Sequence, residues 1–352
     1  MITSIFGAYA QKLQALIDAR QDKFRPAIWS KYFDLGVPQM SLSYLTAIGR
    51  TRVEAAASVV AHGAAAPLRS RAGLDKLSGE VAAIKVKRAM DERDWRNYLT
   101  IQNLNMAGGE DTKKTQILKL IWDDVQFVVD SVTKRIDIMV AQALSTGVIA
   151  INTTTNPDGV IPGNIDLLVP SDHKTFCGTS TRYWSVAATA KPITDIAAVV
   201  VAAEAEGVSY EKVLMTSTKM RQALASTEVT TLELNTLEKL NNYLQDSKLP
   251  IIETIDLVAP IEKDGVNSNI TAWDGDNIVF LPAGKQGIIH NSVSIEEVNP
   301  VAGVVYAKQN NILVSKWGET EPFGEYTRGE IAAFPGLETA DSIWIFDTAA
   351  MS

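Results

Sequence analysis

The sequence is poor in the residues that carry most enzyme chemistry. Of 352 residues, one is a cysteine, Cys177, and three are histidines, His62, His173 and His290. A lone thiol forms no intrachain disulfide, which argues against a secreted, disulfide-stapled scaffold and for a reducing compartment. The histidines are widely separated. His173 lies four residues from Cys177, with Asp172 adjacent, and nothing nearby in sequence completes a tetrahedral zinc site. No metal and no cofactor is expected. There is no G-x-S-x-G elbow, no G-x-x-x-x-G-K-[ST] loop and no G-x-G-x-x-G fingerprint, so catalytic nucleophile and phosphate cradle are both missing. Adjacent carboxylates (Asp123-Asp124, Glu296-Glu297) diverge on any regular element and do not suggest acid/base work.

Long hydrophobic runs are missing too. The longest, Ile196 to Ala203, is far short of the roughly 18 residues of a membrane span. The N-terminus lacks a basic start and a long apolar stretch, so no signal peptide is read. No repeat and no Gly/Ser-rich linker appears, so the two or three domains that the length suggests are expected to be interleaved.

What is present is an ordinary globular composition, 46% hydrophobic and 21% charged, with a net charge of −8. That charge is uneven. From Arg50 to Arg96 ten basic residues face six acidic ones, a net +4, which leaves 23 against 35 elsewhere, a net −12. An acidic body does not grip phosphate, whereas the basic segment could dock on an acidic neighbour.

Along the chain, Ile5, Tyr9, Leu13, Leu16 and Ile17 predict a short helix within 1–20. Residues 21–48 look irregular, with aromatics (Phe24, Trp29, Tyr32, Phe33) that an arm could bury on something else. Residues 49–90 are rich in small side chains, contain no aromatic, and suggest a long two-stranded excursion with a strand near 81–88. No proline occurs between Pro67 and Pro157, and Leu118, Ile121, Val125, Val128, Val132, Ile136, Met139 and Ala143 recur at helical spacing. With a start at Gly108-Gly109 and a stop at Gly147, this predicts a helix over about 112–146. Helices are expected over 193–206, 218–225 and 232–244, and a buried strand over 213–216. Beyond Pro250 the chain reads as β-rich; Asp264 to Asn267 and Asp274 to Asn277 read as hairpin turns, not as calcium loops. The fold class is α+β.

The order of elements, together with Gln142 to Gly147, Trp184-Ser185, the helix opening at Pro192, Asn277 to Ile289, Glu296-Glu297 and Pro322 to Asp347, resembles the major capsid protein of tailed double-stranded DNA phages, in its lambda-type branch. The resemblance implies an N-terminal arm (1–48), an extended loop (49–90), a peripheral domain (91–220 and 300–352) built on the long spine helix, and an axial domain (221–299). It implies a non-enzymatic subunit that assembles into hexamers and pentamers of an icosahedral head, within the host bacterial cytoplasm, and becomes part of the virion. Partners so implied are further copies of itself, a separate scaffolding protein, a portal, a decoration protein and non-specifically contacted DNA; no membrane is involved. The separate scaffold is expected because the arm begins almost at Met1. Candidate inter-subunit contacts are Arg69, Arg71, Lys85, Lys87, Arg88, Trp29 and Phe33. Lys76, Lys85 and Lys87 lie where some members form an isopeptide cross-link, but no motif matches and none is assigned. Two other readings stay open: an encapsulin-like shell that packages a cargo enzyme, and an enzyme with an unrecognised site near Asp274 and His290.

Overall fold

The computed structural model describes residues 13–49, 74–103, 109–157, 159, 163–263, 266–321 and 323–350. In chain order the elements are α1 (Leu13–Asp18), α2 (Trp29–Tyr32), β1 (Phe33–Leu35), β2 (Ser43–Gly49), β3 (Leu74–Glu80), β4 (Ala83–Met90), α3 (Glu92–Asn103) and α4 (Gly109–Thr146). There follow β5 (Val148–Ile151), β6 (Gly163–Asp166), β7 (Lys174–Phe176), α5 (Pro192–Ala205), β8 (Lys212–Met215), α6 (Ser217–Ala225), α7 (Thr227–Thr231) and α8 (Leu237–Asp246). The last are β9 (Ile251–Thr254), β10 (Val258–Lys263), β11 (Val266–Thr271), β12 (Asn277–Leu281), β13 (Gly287–Ser292), α9 (Ile295–Val298), β14 (Val305–Gln309), β15 (Ile312–Thr320), β16 (Phe323–Leu337) and β17 (Trp344–Asp347).

The spine is α4. Its 38 residues span about 57 Å at 1.5 Å per residue. It starts three residues before the sequence-derived bound and ends on it. Gly147, at φ +70°, closes it as a left-handed cap. The apolar stripe of α4 includes Val125, Val128, Val132, Ile136 and Met139, all buried.

That stripe lies on the first sheet, ordered β1-β13-β16-β15-β14, with β4 also paired to β16. Strand β16 is unusually long at 15 residues. A glycine sets the contact with α4, since a Cβ at Gly329 would stand 3.0 Å from both the Cβ and the carbonyl oxygen of Val128. The first sheet, α4 and the arm elements α1, α2 and β1 share one apolar core.

The second sheet, ordered β7-β17-β12-β8-β9, is covered on both faces. Strand β12 is buried at all five positions, as a two-sided strand must be. Alternation sorts its side chains: Val279 and Leu281 join the core of α4, whereas Ile278 and Phe280 join a second core with α5, α6 and α8. The two cores are therefore the two sides of one sheet, with no linker between them. A boundary between residues 220 and 221 falls inside α6. The residues expected to form one helix over 232–244 divide differently. Glu233 takes φ +57°, and the Thr236 hydroxyl accepts from the Lys239 N–H to start α8 afresh.

Strands β2 and β3 pair as a separate antiparallel ribbon from Ser43–Glu80 to Gly49–Leu74, as the excursion predicts; β2 begins inside the segment read as arm. Residues 1–12 and 50–73, with Arg69, Arg71 and His62, lie outside the described residues.

Candidate inter-subunit surfaces

The described part of the arm is fixed to its own chain. Along one edge of α4, Gln126 donates through Nε2 to the Lys23 carbonyl at 2.8 Å. Asp130 accepts from the Arg25 N–H at 3.0 Å, and Asp137 accepts from the Trp29 N–H at 2.9 Å. Four- and seven-residue steps put all three side chains on one face of the helix. Burial pushes the Asp137 carboxyl up to about 6, although the Trp29 N–H and the Arg25 charge act the other way.

Trp29 and Phe33 are accordingly placed in the core of their own chain. Trp29 is 8% exposed and Phe33 1%, and Phe33 pairs with Gly287 in the parallel register of β1 with β13. The expectation that they bury against a neighbour does not describe this placement. The aromatic content of the arm was legible, but Asp137, which accepts the Trp29 backbone N–H, stands 108 residues away.

The basic residues of β4 are also engaged within the chain. Lys85 pairs with Glu330 at 3.1 Å and Arg88 with Asp124 at 3.4 Å. Lys87 sits over the Tyr326 ring at 4.5 Å, and Arg88 over Phe127 at 4.9 Å. Lys85 and Arg88 are half exposed, so each keeps one side open to solvent. Asp124 is shared. Its second oxygen lies 3.9 Å from the ammonium of Lys316 on β15, which is 3% exposed and donates to Thr327 Oγ1 at 2.7 Å. Burial raises the Asp124 carboxyl above its ordinary range, against the Lys316 and Arg88 charges. Burial lowers Lys316, against Glu325 and Asp124. One carboxylate of the spine thus links the root of the excursion to the sheet beneath.

Sequence reasoning missed two exposed apolar runs. Val37 and Met40 are 84% and 74% exposed, and Leu42 about half. Ile295 is 78% exposed, and Val298 and Val301 more than half. The two runs diverge from one point, where Gln39 bridges Ser292 and accepts from the Val293 N–H at 2.9 Å. A run this short sets no pattern that tells a buried face from an exposed one, so only their joint exposure marks them.

One outer strand of each sheet is closed by a side chain. Gln14 makes both backbone hydrogen bonds to Lys308 on β14, at 2.7 and 3.0 Å. Asn241 does the same to Ile252 on β9, at 2.8 and 2.9 Å. A side-chain amide thus stands in for a neighbouring strand at each edge.

Asp274 and His290 are not brought together. Asp274 caps an Asx turn before β12, accepting from the Asp276 N–H at 3.1 Å, so this segment is not the hairpin turn expected. His290 lies on β13 of the other sheet, opposite Phe334. The hairpin expected around Asp264 is present as β10–β11. Among the described residues, no helix is long and apolar enough to cross a membrane.

A family model described as phage major capsid protein E matches residues 13–348. A structure described as the capsid protein of a prophage of Escherichia coli CFT073 is 15% identical, with a TM-score of 0.58 over 99% of each chain. A phage-related protein of Bordetella bronchiseptica RB50 is 11% identical, with a TM-score of 0.52 over 95% of this chain and 97% of that one. At these identities the likeness is one of fold. No curated protein matches the sequence.

Proposed function

The chain belongs to the phage major capsid protein E family, and we propose how this structural subunit of a phage head builds its shell. Copies associate as hexamers and pentamers of a closed icosahedral head that encloses double-stranded DNA. The observation that carries this reading is the family match over residues 13–348. The unit around the second core is the axial domain, which meets its copies around the symmetry axes. The α4 unit is the peripheral domain, and the β2–β3 ribbon is the extended loop. Since α5 and β8 belong to the second core, the axial unit begins well before residue 221.

The apolar runs at 37–42 and 295–301 are the contacts we assign to a neighbouring copy. Lys85, Lys87 and Arg88, with Arg69 and Arg71 in the undescribed segment, supply weaker ionic contacts from their open sides. Many such contacts act together in a closed shell. A separate scaffolding protein, a portal and a decoration protein complete the head in the bacterial cytoplasm. The acidic body touches packaged DNA without sequence preference.

The test is to express the full chain, alone and with its neighbouring phage proteins, and to image the product by electron microscopy. Closed shells, tubes or capsomer rings are expected, and DNA within shells recovered from infected cells. A persistent monomer under every condition would overturn assembly. Shells that hold a protein cargo and no DNA would move the reading to an encapsulin-like compartment.

A further inference from the structure

One polar cluster lies apart from every surface above. His173 closes a 3-10 turn (Ser171–His173) before β7, and its ring is buried. Its Nδ1 lies 3.2 Å from the Ile343 carbonyl oxygen. A carbonyl only accepts, so Nδ1 carries a proton and donates it. The ring stacks on Trp344 with centroids 4.6 Å apart and planes 15° from parallel. The Trp344 indole is itself held by Thr175, donating to Oγ1 at 2.8 Å. Rotation and tautomer of the imidazole are therefore both set, and Nε2 is the edge left to act. It faces the Glu206 carboxylate at 2.9 Å, and Asp172 stands beside them. One donor atom from each of the three residues lies within 4.8 Å of the others.

We propose that Asp172, His173 and Glu206 form a binding site for a borderline divalent cation such as Zn2+. The chemistry fits on three counts. The donor set is one imidazole nitrogen and two carboxylates, whose −2 charge balances a divalent ion. The backbone carbonyl on Nδ1 is the orienting contact that ligating histidines use. Glu206 is the C-cap of α5, where the helix dipole favours positive charge. Ligand atoms around tetrahedral zinc stand about 3.3 Å apart, so the carboxylates must close by about 1–2 Å. Asp172 and Glu206 are exposed and free to make that movement, whereas the buried histidine need not move. The ion would sit between Nε2 and Glu206, and solvent fills the remaining position. Sequence alone joined His173 to Cys177, but that thiol is buried, which pushes it up to about 12; the third ligand is Glu206, 33 residues downstream.

The test titrates the full-length chain with Zn2+ by calorimetry, alongside Asp172→Asn and Glu206→Gln. Both substitutions are on exposed side chains and leave the core intact. Wild type should take up one ion per chain, and each variant should bind at least about tenfold more weakly. Ni2+ should quench Trp344 fluorescence in wild type and not in Glu206→Gln. The absence of saturable uptake would overturn the site. Equal affinity in wild type and both variants would also overturn it, by placing the ion elsewhere. These readouts use the unassembled chain and do not depend on shell formation.

Discussion

The side-chain amide of Gln14 makes to Lys308 both of the hydrogen bonds that a neighbouring strand would make. Asn241 repeats the device on Ile252 at the outer strand of the second sheet. Unpaired strand edges invite edge-to-edge pairing, and a subunit that must pack beside many copies of itself is at special risk. Gln14→Ala should cost about 1 kcal/mol, because both lost bonds are at the surface. Hydrogen exchange should show the Lys308 amide and α1 losing protection together. Asn241→Ala should cost about 1–3 kcal/mol, because the bonds it removes are part-buried. Its unfolding midpoint should fall further than that of Gln14→Ala.

The stability of the fold should depend on pH through Asp137. Burial holds its carboxyl at about 6 against an ordinary 3.8, although the Trp29 and Ile28 N–H groups and the Arg25 charge act the other way. A raised acid binds its proton more tightly in the folded state. The contribution of this group therefore grows as pH falls through about 6 and gains nothing more below about 4. The full difference is up to about 3 kcal/mol. Denaturant unfolding at pH 5 and pH 7 measures it. Asp137→Asn, which keeps an acceptor for Trp29, should remove the pH dependence. An unchanged dependence in that variant would assign the effect to another group.

Asp124→Asn should loosen the joint between α4, β4 and β15. Lys316 stays buried with Glu325 and Thr327 near it but loses the Asp124 charge at 3.9 Å. The expected cost is about 1–3 kcal/mol, below that of stripping a buried charge of its only partner. Denaturant unfolding of the variant beside wild type measures it. Arg88→Gln, at a half-exposed position, should cost less than about 1 kcal/mol.

Gly329→Ala tests how closely β16 approaches the spine. The added methyl would meet Val128 backbone and side chain at 3.0 Å, so helix or strand must shift. Overpacking of this kind costs about 1–3 kcal/mol. A thermal midpoint equal to wild type would mean that the contact is looser than described.

The long helix was legible because its signal is local: some thirty residues repeat one spacing without a proline, and Gly147 ends the pattern. Strand β4 was legible for the same reason, by its alternation. What was hidden is what depends on pairs far apart in sequence. Trp29 announces an aromatic that wants burial, but not that Asp137 receives its backbone N–H. Asp172 and His173 are two ligands without a third until the chain returns at Glu206. The two cores were hidden because a β-strand such as β12, apolar on both faces, reads the same whether it lies within one domain or between two.

The pairing of β4 with β16 runs through eight consecutive residue pairs, from Met90–Glu325 to Ala83–Ala332. Strand β3 joins β4 through a two-residue connection, so a pull on the ribbon arrives along the axis of β4. Under such a load the ladder is sheared: its bonds share the force and must fail together, whereas a strand peeled from one end loses them singly. The ribbon is thus tethered by the mechanically strong direction of a sheet, and a tug on it is passed as tension to a strand running nearly the length of the spine.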